Sequence, residues 1–187
     1  MPTRMECERH VYRLALLLTG SPQRATRVIR AVVKAQPDLT RLDRAHLERL
    51  TILRSREQPR GQAEIPGLDG SLTRFLDGLD RQPREAWLLI HALVLEPRPA
   101  AKAMDCSITA LDLHLSRAHE AMAGAKLTPD APEALTAVMR ETELPEFYVE
   151  QRRRETRLRR VFIILAIVFG ILGSVALTRW LIESLTT

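Results

Sequence analysis

The sequence predicts an all-α protein in four successive parts: a three-helix domain, a linker, a helix-turn-helix domain and a single C-terminal transmembrane helix. Three observations predict it. Apolar residues recur at i, i+3, i+4 and i+7 in segments bounded by Gly and Pro. A short helical segment, a tight turn and a longer helical segment follow one another after Pro99, the order of a helix-turn-helix. Val161–Leu177 carries no charge, and at about 1.5 Å per residue it covers roughly 26 Å, near the hydrocarbon thickness of a bilayer.

Residues 1–57 form the first domain. Its first helix, over residues 5–19, places Val11, Leu14, Ala15 and Leu18 on one stripe and stops at Gly20. The second starts at Ser21-Pro22, with proline suited to the first helical position, and aligns Ala25, Val28, Ile29, Val32 and Val33 before Pro37. The third begins around Thr40-Arg-Leu-Asp43, a capping-box-like start, and turns Leu47, Leu50 and Leu53 inward with Arg49, Arg54 and Arg56 outside. Residues 58–70, with Pro59, Gly61, Pro66, Gly67 and Gly70, read as a linker and domain boundary.

The second domain spans residues 71–126. Ser71 is expected to cap a short helix carrying Leu72, Phe75, Leu76 and Leu79. Arg84–Leu95, nearly all apolar around Trp87, Leu88, Leu89, Ile90 and Leu93, is the expected centre of the unit. Glu96-Pro-Arg-Pro99 breaks the chain, Ala100–Met104 allows a short helix, and Asp105-Cys-Ser107 turns into a longer helix from Ile108 to Ala123. In that helix Ile108, Leu111, Leu115, Ala118 and Met122 fall on the inward stripe.

The opposite face presents Thr109, Ala110, Asp112, Leu113, His114 and Arg117, so the candidate DNA contacts are Ser107, Thr109, His114 and Arg117. Duplex affinity rests largely on cations, and here Arg117 stands against Asp112 and Glu120. Protein contact through Asp112 and Leu113 is therefore the competing use of the same face.

Residues 127–160 comprise a second linker, an acidic helix over Glu133–Glu143 with Leu135, Val138 and Met139 on one side, and a basic flank. Gln151–Arg160 holds six arginines against one glutamate, which sets a cytoplasmic N-terminus for a single-pass protein of the cytoplasmic membrane. These arginines either determine topology alone or also meet anionic headgroups of the lipid bilayer. The span occupies 161–180, with Trp180 at interfacial depth, and 181–187 form a short external tail, the layout of a tail-anchored protein. Ala166, Gly170 and Ser174 recur every four residues, the spacing that lets two such helices approach as a homodimer.

Charge is segregated along the chain. Residues 1–60 hold 13 basic and 6 acidic side chains, 61–150 hold 8 and 15, and 151–187 hold 7 and 2. A basic first part and an acidic second part are poised to attract each other. Cys7 and Cys106 stand far apart and read as reduced thiols. The chain has no glycine-rich phosphate loop, metal-ligand cluster or nucleophile motif, so the reading is not an enzyme and no cofactor is implied. His91 reads as a core residue, and Asp77 and Asp80 as solvated turn residues.

The order of parts resembles the extracytoplasmic-function group of sigma-70-type RNA polymerase sigma factors over residues 8–124. Val11-Tyr-Arg-Leu-Ala-Leu-Leu-Leu-Thr-Gly-Ser-Pro22 is similar to the family's first helix and following turn, and Leu79-Asp-Arg-Gln-Pro-Arg-Glu-Ala-Trp-Leu-Leu89 to the opening of its second domain. Ser107, Leu111, Leu115, Arg117 and Ala118 follow its turn and recognition-helix pattern. The resemblance implies a sigma-2-like domain, a sigma-4-like helix-turn-helix domain, and contacts with RNA polymerase core, promoter DNA or an anti-sigma-like protein. The chain departs from the pattern at Arg27 and Arg30, which replace an acidic residue and a glutamine in a segment used against polymerase, and at Asp112, where a basic residue is frequent. Asp105 stands where the turn glycine stands, and no Phe, Tyr or Trp lies between Ala25 and Arg74 to stack on melted bases. Two functions follow: a membrane-anchored sigma-like transcription regulator, or a degenerate sigma mimic that holds a protein partner at the membrane.

Overall fold

The computed structural model describes residues 3–59, 65, 67–125, 127 and 130–185, and for residues 156, 159, 160, 168 and 171–185 it describes the backbone alone. Every regular element among them is helical. The chain divides into two compact units, Met1–Leu144 and Pro145–Thr187. Both predicted helical domains and the acidic helix lie in the first.

Helix α1 (Arg4–Thr19) starts at a reciprocal cap, in which Thr3 Oγ1 accepts the Glu6 amide and Glu6 accepts the Thr3 amide, and it ends at Gly20 with φ 66°. The predicted stripe is buried, but so are Tyr12, Leu16, Leu17 and Thr19. This helix is enclosed on nearly every side because α2 (Pro22–Ala35) and α3 (Arg44–Arg56) pack on it. Helix α2 buries Ala25, Val28, Ile29 and Val32 and leaves Arg27 and Arg30 exposed one turn apart.

Helix α3 corrects the expected phase. Asp43 caps it, accepting the His46 amide at 2.7 Å, after a 3-10 turn over Leu39–Arg41. Leu47 is buried as predicted, Leu50 is only half-buried and Leu53 is 39% exposed, while Glu48, Thr51, Ile52 and Ser55 face inward. The two hydroxyls pack because they are satisfied, while Glu48 is bonded through one carboxylate oxygen and keeps the other buried without a partner among the described residues. Thr51 and Ser55 hydroxyls each donate to the carbonyl four residues back, and Glu48 accepts from His10 and Arg44.

Helix α4 (Gly70–Gly78) is capped by Asp69, not by Ser71 as expected; the aspartate accepts the Ser71 amide at 3.1 Å. It buries Leu72, Phe75 and Leu76, and Phe75 meets Trp87 edge-on at 5.2 Å. Helix α5 (Arg81–Trp87) passes directly into a π-helical turn over Leu88–Ala92, so the long helix expected for Arg84–Leu95 is underwound in its second half. Leu93 donates to the Leu88 carbonyl, and Val94 follows with φ 52°, a costly value for a β-branched residue.

The expected break at Glu96-Pro-Arg-Pro99 is instead the start of α6 (Pro97–Met104), because proline fits a first helical turn where no amide donor is needed. Helix α7 (Ile108–Gly124) follows, then α8 (Ala131–Glu141), whose partner the sequence did not reveal. Helix α8 packs on the π-turn, burying Leu135 and Met139.

The second unit is built on α9 (Glu146–Leu185), a continuous 40-residue helix through the basic segment. Phe162, Ile163, Ile164, Leu165, Ile167 and Phe169 stand exposed and, being nearly consecutive, lie on all its faces. Among the described residues no helix is long and apolar enough to cross a membrane. The expected span Val161–Leu177 runs into residue 168 and residues 171–177, whose side chains lie outside those described, as do those of Ser174 and Trp180.

Candidate interaction site on the helix-turn-helix

Pro97–Met104, Asp105–Ser107 and Ile108–Gly124 make the short helix, turn and long helix of the motif. Asp105 takes the left-handed conformation, φ 60° and ψ 44°, which glycine and aspartate tolerate best. Ala100, Ala101 and Ala103 are buried, so α6 approaches its neighbours closely. Ser107 is the N-cap of α7, its hydroxyl accepting the Ala110 amide at 3.1 Å, which commits that oxygen to starting the helix.

Helix α7 buries Leu111, His114 and Ala118 and half-buries Leu115 and Met122. Two expectations are corrected. His114, placed on the outer face by spacing, is buried, and Ile108, placed on the inner stripe, is 43% exposed. The helix is rotated from the all-apolar register because Leu111 and Ala118, seven apart, set the face against α5, and His114 lies between them.

The outer face brings together Thr109, Asp112, Leu113, Ser116, Arg117 and Glu120, all exposed, with Leu113 at 52%. Of the candidate DNA contacts, Thr109 and Arg117 are on this face, while Ser107 is spent on the cap. Asp112 and Leu113 sit side by side on it. Arg27 and Arg30 belong to α2, and Ala166 and Gly170 to the separate α9 unit, where a Cβ added at Gly170 would meet nothing within 4 Å.

The inner side of the motif is occupied by the first part of the chain. Helix α6 lies along α3, and ion pairs join them at Arg49–Asp105 (3.0 Å) and Lys102–Asp43 (3.1 Å). The His46 amide and then the Lys102 ammonium hold the Asp43 carboxyl below its usual range. Arg56 reaches α5 with two hydrogen bonds to Glu85, at 3.0 and 2.6 Å, and this partner raises the guanidinium's affinity for its proton. Arg44 donates to the Leu93 carbonyl at the end of the π-turn, 3.1 Å away. The attraction expected between the basic first part and the acidic second part is thus realised in named pairs, with Lys102–Asp43 running in the opposite sense.

Sequence reasoning missed the buried polar groups of the first part of the chain and the setting of His91. Glu8 and Glu48 are fully buried carboxylates, and the i, i+4 pairs Arg4–Glu8 and Arg44–Glu48 were the readable signal. His91, read as a core residue, is half-buried on the π-turn, stacked against Trp87 and hydrogen-bonded through Nε2 to His119 Nε2 at 3.1 Å. Burial, and then the neighbouring His119, push the His91 imidazole below its ordinary range. Cys7 and Cys106 are free thiols, each raised chiefly by burial.

Comparison of the chain with family models, with curated proteins and with solved structures finds no match.

Proposed function

We propose that this chain is a sigma-like, membrane-anchored regulator of transcription that works as a mimic: its helix-turn-helix face binds protein, of polymerase-core or anti-sigma type, in place of promoter DNA. The observation that carries this reading is the outer face of α7, where exposed Leu113 is bordered by Asp112, Arg117 and Glu120. One cation against two carboxylates gives phosphate little to bind, whereas an exposed aliphatic residue within a polar rim suits a protein partner.

Two further features support it. Helix α6, which in a DNA-bound motif crosses the phosphate backbone, has Lys102 engaged by Asp43 and lies along α3. The all-round apolar residues of α9 from Val161 onward, following Arg153, Arg154 and Arg157, have the character of a membrane anchor with its basic side toward the cytoplasm. Ala166, Gly170 and Ser174 then offer a seam for a homodimer in the bilayer.

The test uses the full chain in lipid nanodiscs with core polymerase and a panel of promoter fragments. The reading expects no promoter-specific transcript and a shallow fall of DNA affinity with salt, because few phosphates are neutralised. Promoter-specific initiation would restore the ordinary sigma-factor mechanism.

A further inference from the structure

Helix α8 is held by two different parts of the compact unit, one at its C-terminal end and one along its buried face. At its C-terminus the guanidinium of Arg13, on α1, donates from Nε to the Thr142 carbonyl at 2.7 Å and from an Nη to the Arg140 carbonyl at 2.5 Å. Arg9 adds an ion pair to Glu143 at 2.9 Å. These contacts satisfy carbonyls that every helix end leaves open, and they place cations at the negative pole of α8. Burial lowers the Arg13 proton affinity and Glu143 opposes that, as expected of a guanidinium inserted into a joint.

The other attachment is to the π-turn. Leu135 and Met139 are buried and α8 packs on Leu88–Ala92, while the one proton of the Thr136 hydroxyl goes chiefly to the Pro132 carbonyl at 2.9 Å, with the His91 carbonyl as a second, longer acceptor at 3.4 Å. A π-turn leaves its carbonyls in irregular register, and here two of them are taken by side chains from outside: His91 by Thr136 of α8 and Leu93 by Arg44 of α3. The turn ends in the left-handed Val94, a conformation that persists only where surroundings enforce it.

Helix α8 has eleven residues, too few to hold itself as a helix in water, so it depends on these contacts. It therefore joins α1, from the first helical part, to the π-turn, from the second. Four residues after its end the chain reaches Pro145, where the second compact unit begins.

We propose that α8 is a releasable latch, a helix that bridges the two helical parts of the head between Arg13 and the π-turn. Release frees Leu135, Met139, Leu88 and Leu89 at once, removes one of the two outside donors to the π-turn and leaves Arg44 alone to hold it. The second part, with the α7 face, is then held to α3 by their direct packing and the pairs Arg49–Asp105, Lys102–Asp43 and Arg56–Glu85. The latch rests on the proposed function only for what the opened head does.

The experiment is amide exchange by mass spectrometry on the full chain in nanodiscs, comparing the parent with Arg13→Gln and with Leu135→Asp/Thr136→Val. The second variant alters α8 alone, so the test stands even where loss of Arg13 disturbs α1. The latch predicts roughly tenfold or faster exchange in 131–143 together with 88–95 and 97–104, at unchanged total helicity. Faster exchange confined to 131–143, or none in either variant, overturns it. A chain that opens as predicted yet captures no more core polymerase or anti-sigma-type protein keeps the latch and counts against the functional reading.

Discussion

Arg56 and Glu85 close on each other through two hydrogen bonds, with the Glu85 side chain only 3% exposed, and they tie the last turn of α3 to the first turns of α5. Leu18, Thr19, Ser55 and Arg84 line the crevice beside them, so three helices meet at this pair. Removing one partner strands a buried charge. Arg56→Ala is expected to lower stability by about 3 kcal/mol or more, and Arg56→Leu/Glu85→Leu to recover most of it. Denaturant unfolding of the two variants checks this; equal losses in both would mean that the pair contributes only packing.

Ile52 and Leu53 are adjacent, and only the first is buried. Ile52→Ala is expected to cost about 2–5 kcal/mol, while Leu53→Ala stays within about 0.5 kcal/mol of the parent. Thermal unfolding reads both. The opposite ranking would restore the Leu47, Leu50, Leu53 stripe.

That pair also marks where the sequence misleads. The Gly20 stop of α1 and the Pro22 start of α2 were legible, because those residues act on the backbone locally, whereas the Asp69 cap of α4 and the Pro97 start of α6 were not. The facing of α3 was not legible either, since Glu48, Thr51 and Ser55 look solvent-directed until His10 and Arg44 are seen on one Glu48 oxygen and the helix's own carbonyls on the two hydroxyls. His114 was misplaced for a related reason: a polar residue at a buried helical position carries no mark of it in spacing. The α7 outer face was legible at Thr109, Asp112, Leu113 and Arg117, because exposure there follows from the positions of Leu111 and Ala118. The role of α8 depended on Arg13, more than a hundred residues away in sequence, and no local pattern encodes that contact.

His91 and His119 share one hydrogen bond, which requires at least one neutral ring. Since the folded His91 titrates below the ordinary value of 6.5, the unfolded chain binds more protons as pH falls through that value. The stability due to this pair is therefore full above pH 6.5 and is lost as pH drops through the depressed value. Trp87 reports it, stacked on His91 at 5.2 Å, in a Trp180→Phe background. His119→Gln is expected to move the fluorescence midpoint upward while leaving it below 6.5, because burial remains the larger cause. A midpoint unmoved by the substitution would dissociate the two rings.

Membrane anchoring by α9 predicts that the full chain fractionates with membranes, with a C-terminal reporter external and an N-terminal one internal. Arginine introduced at both Ile164 and Ile167 is expected to shift the chain to the soluble fraction. Gly170→Ile is expected to weaken a membrane dimerisation reporter. Unaltered fractionation of the double arginine variant would remove the anchor from the account.

The central claim is that Leu113 faces a protein. A photo-crosslinking side chain placed at position 113 of the chain in cells tests it most directly, because the adduct declares its own chemistry. The account predicts a protein adduct, identified as a polymerase subunit or an anti-sigma-type protein, which disappears on Asp112→Arg while the melting temperature holds. A nucleic-acid adduct at position 113 would contradict it.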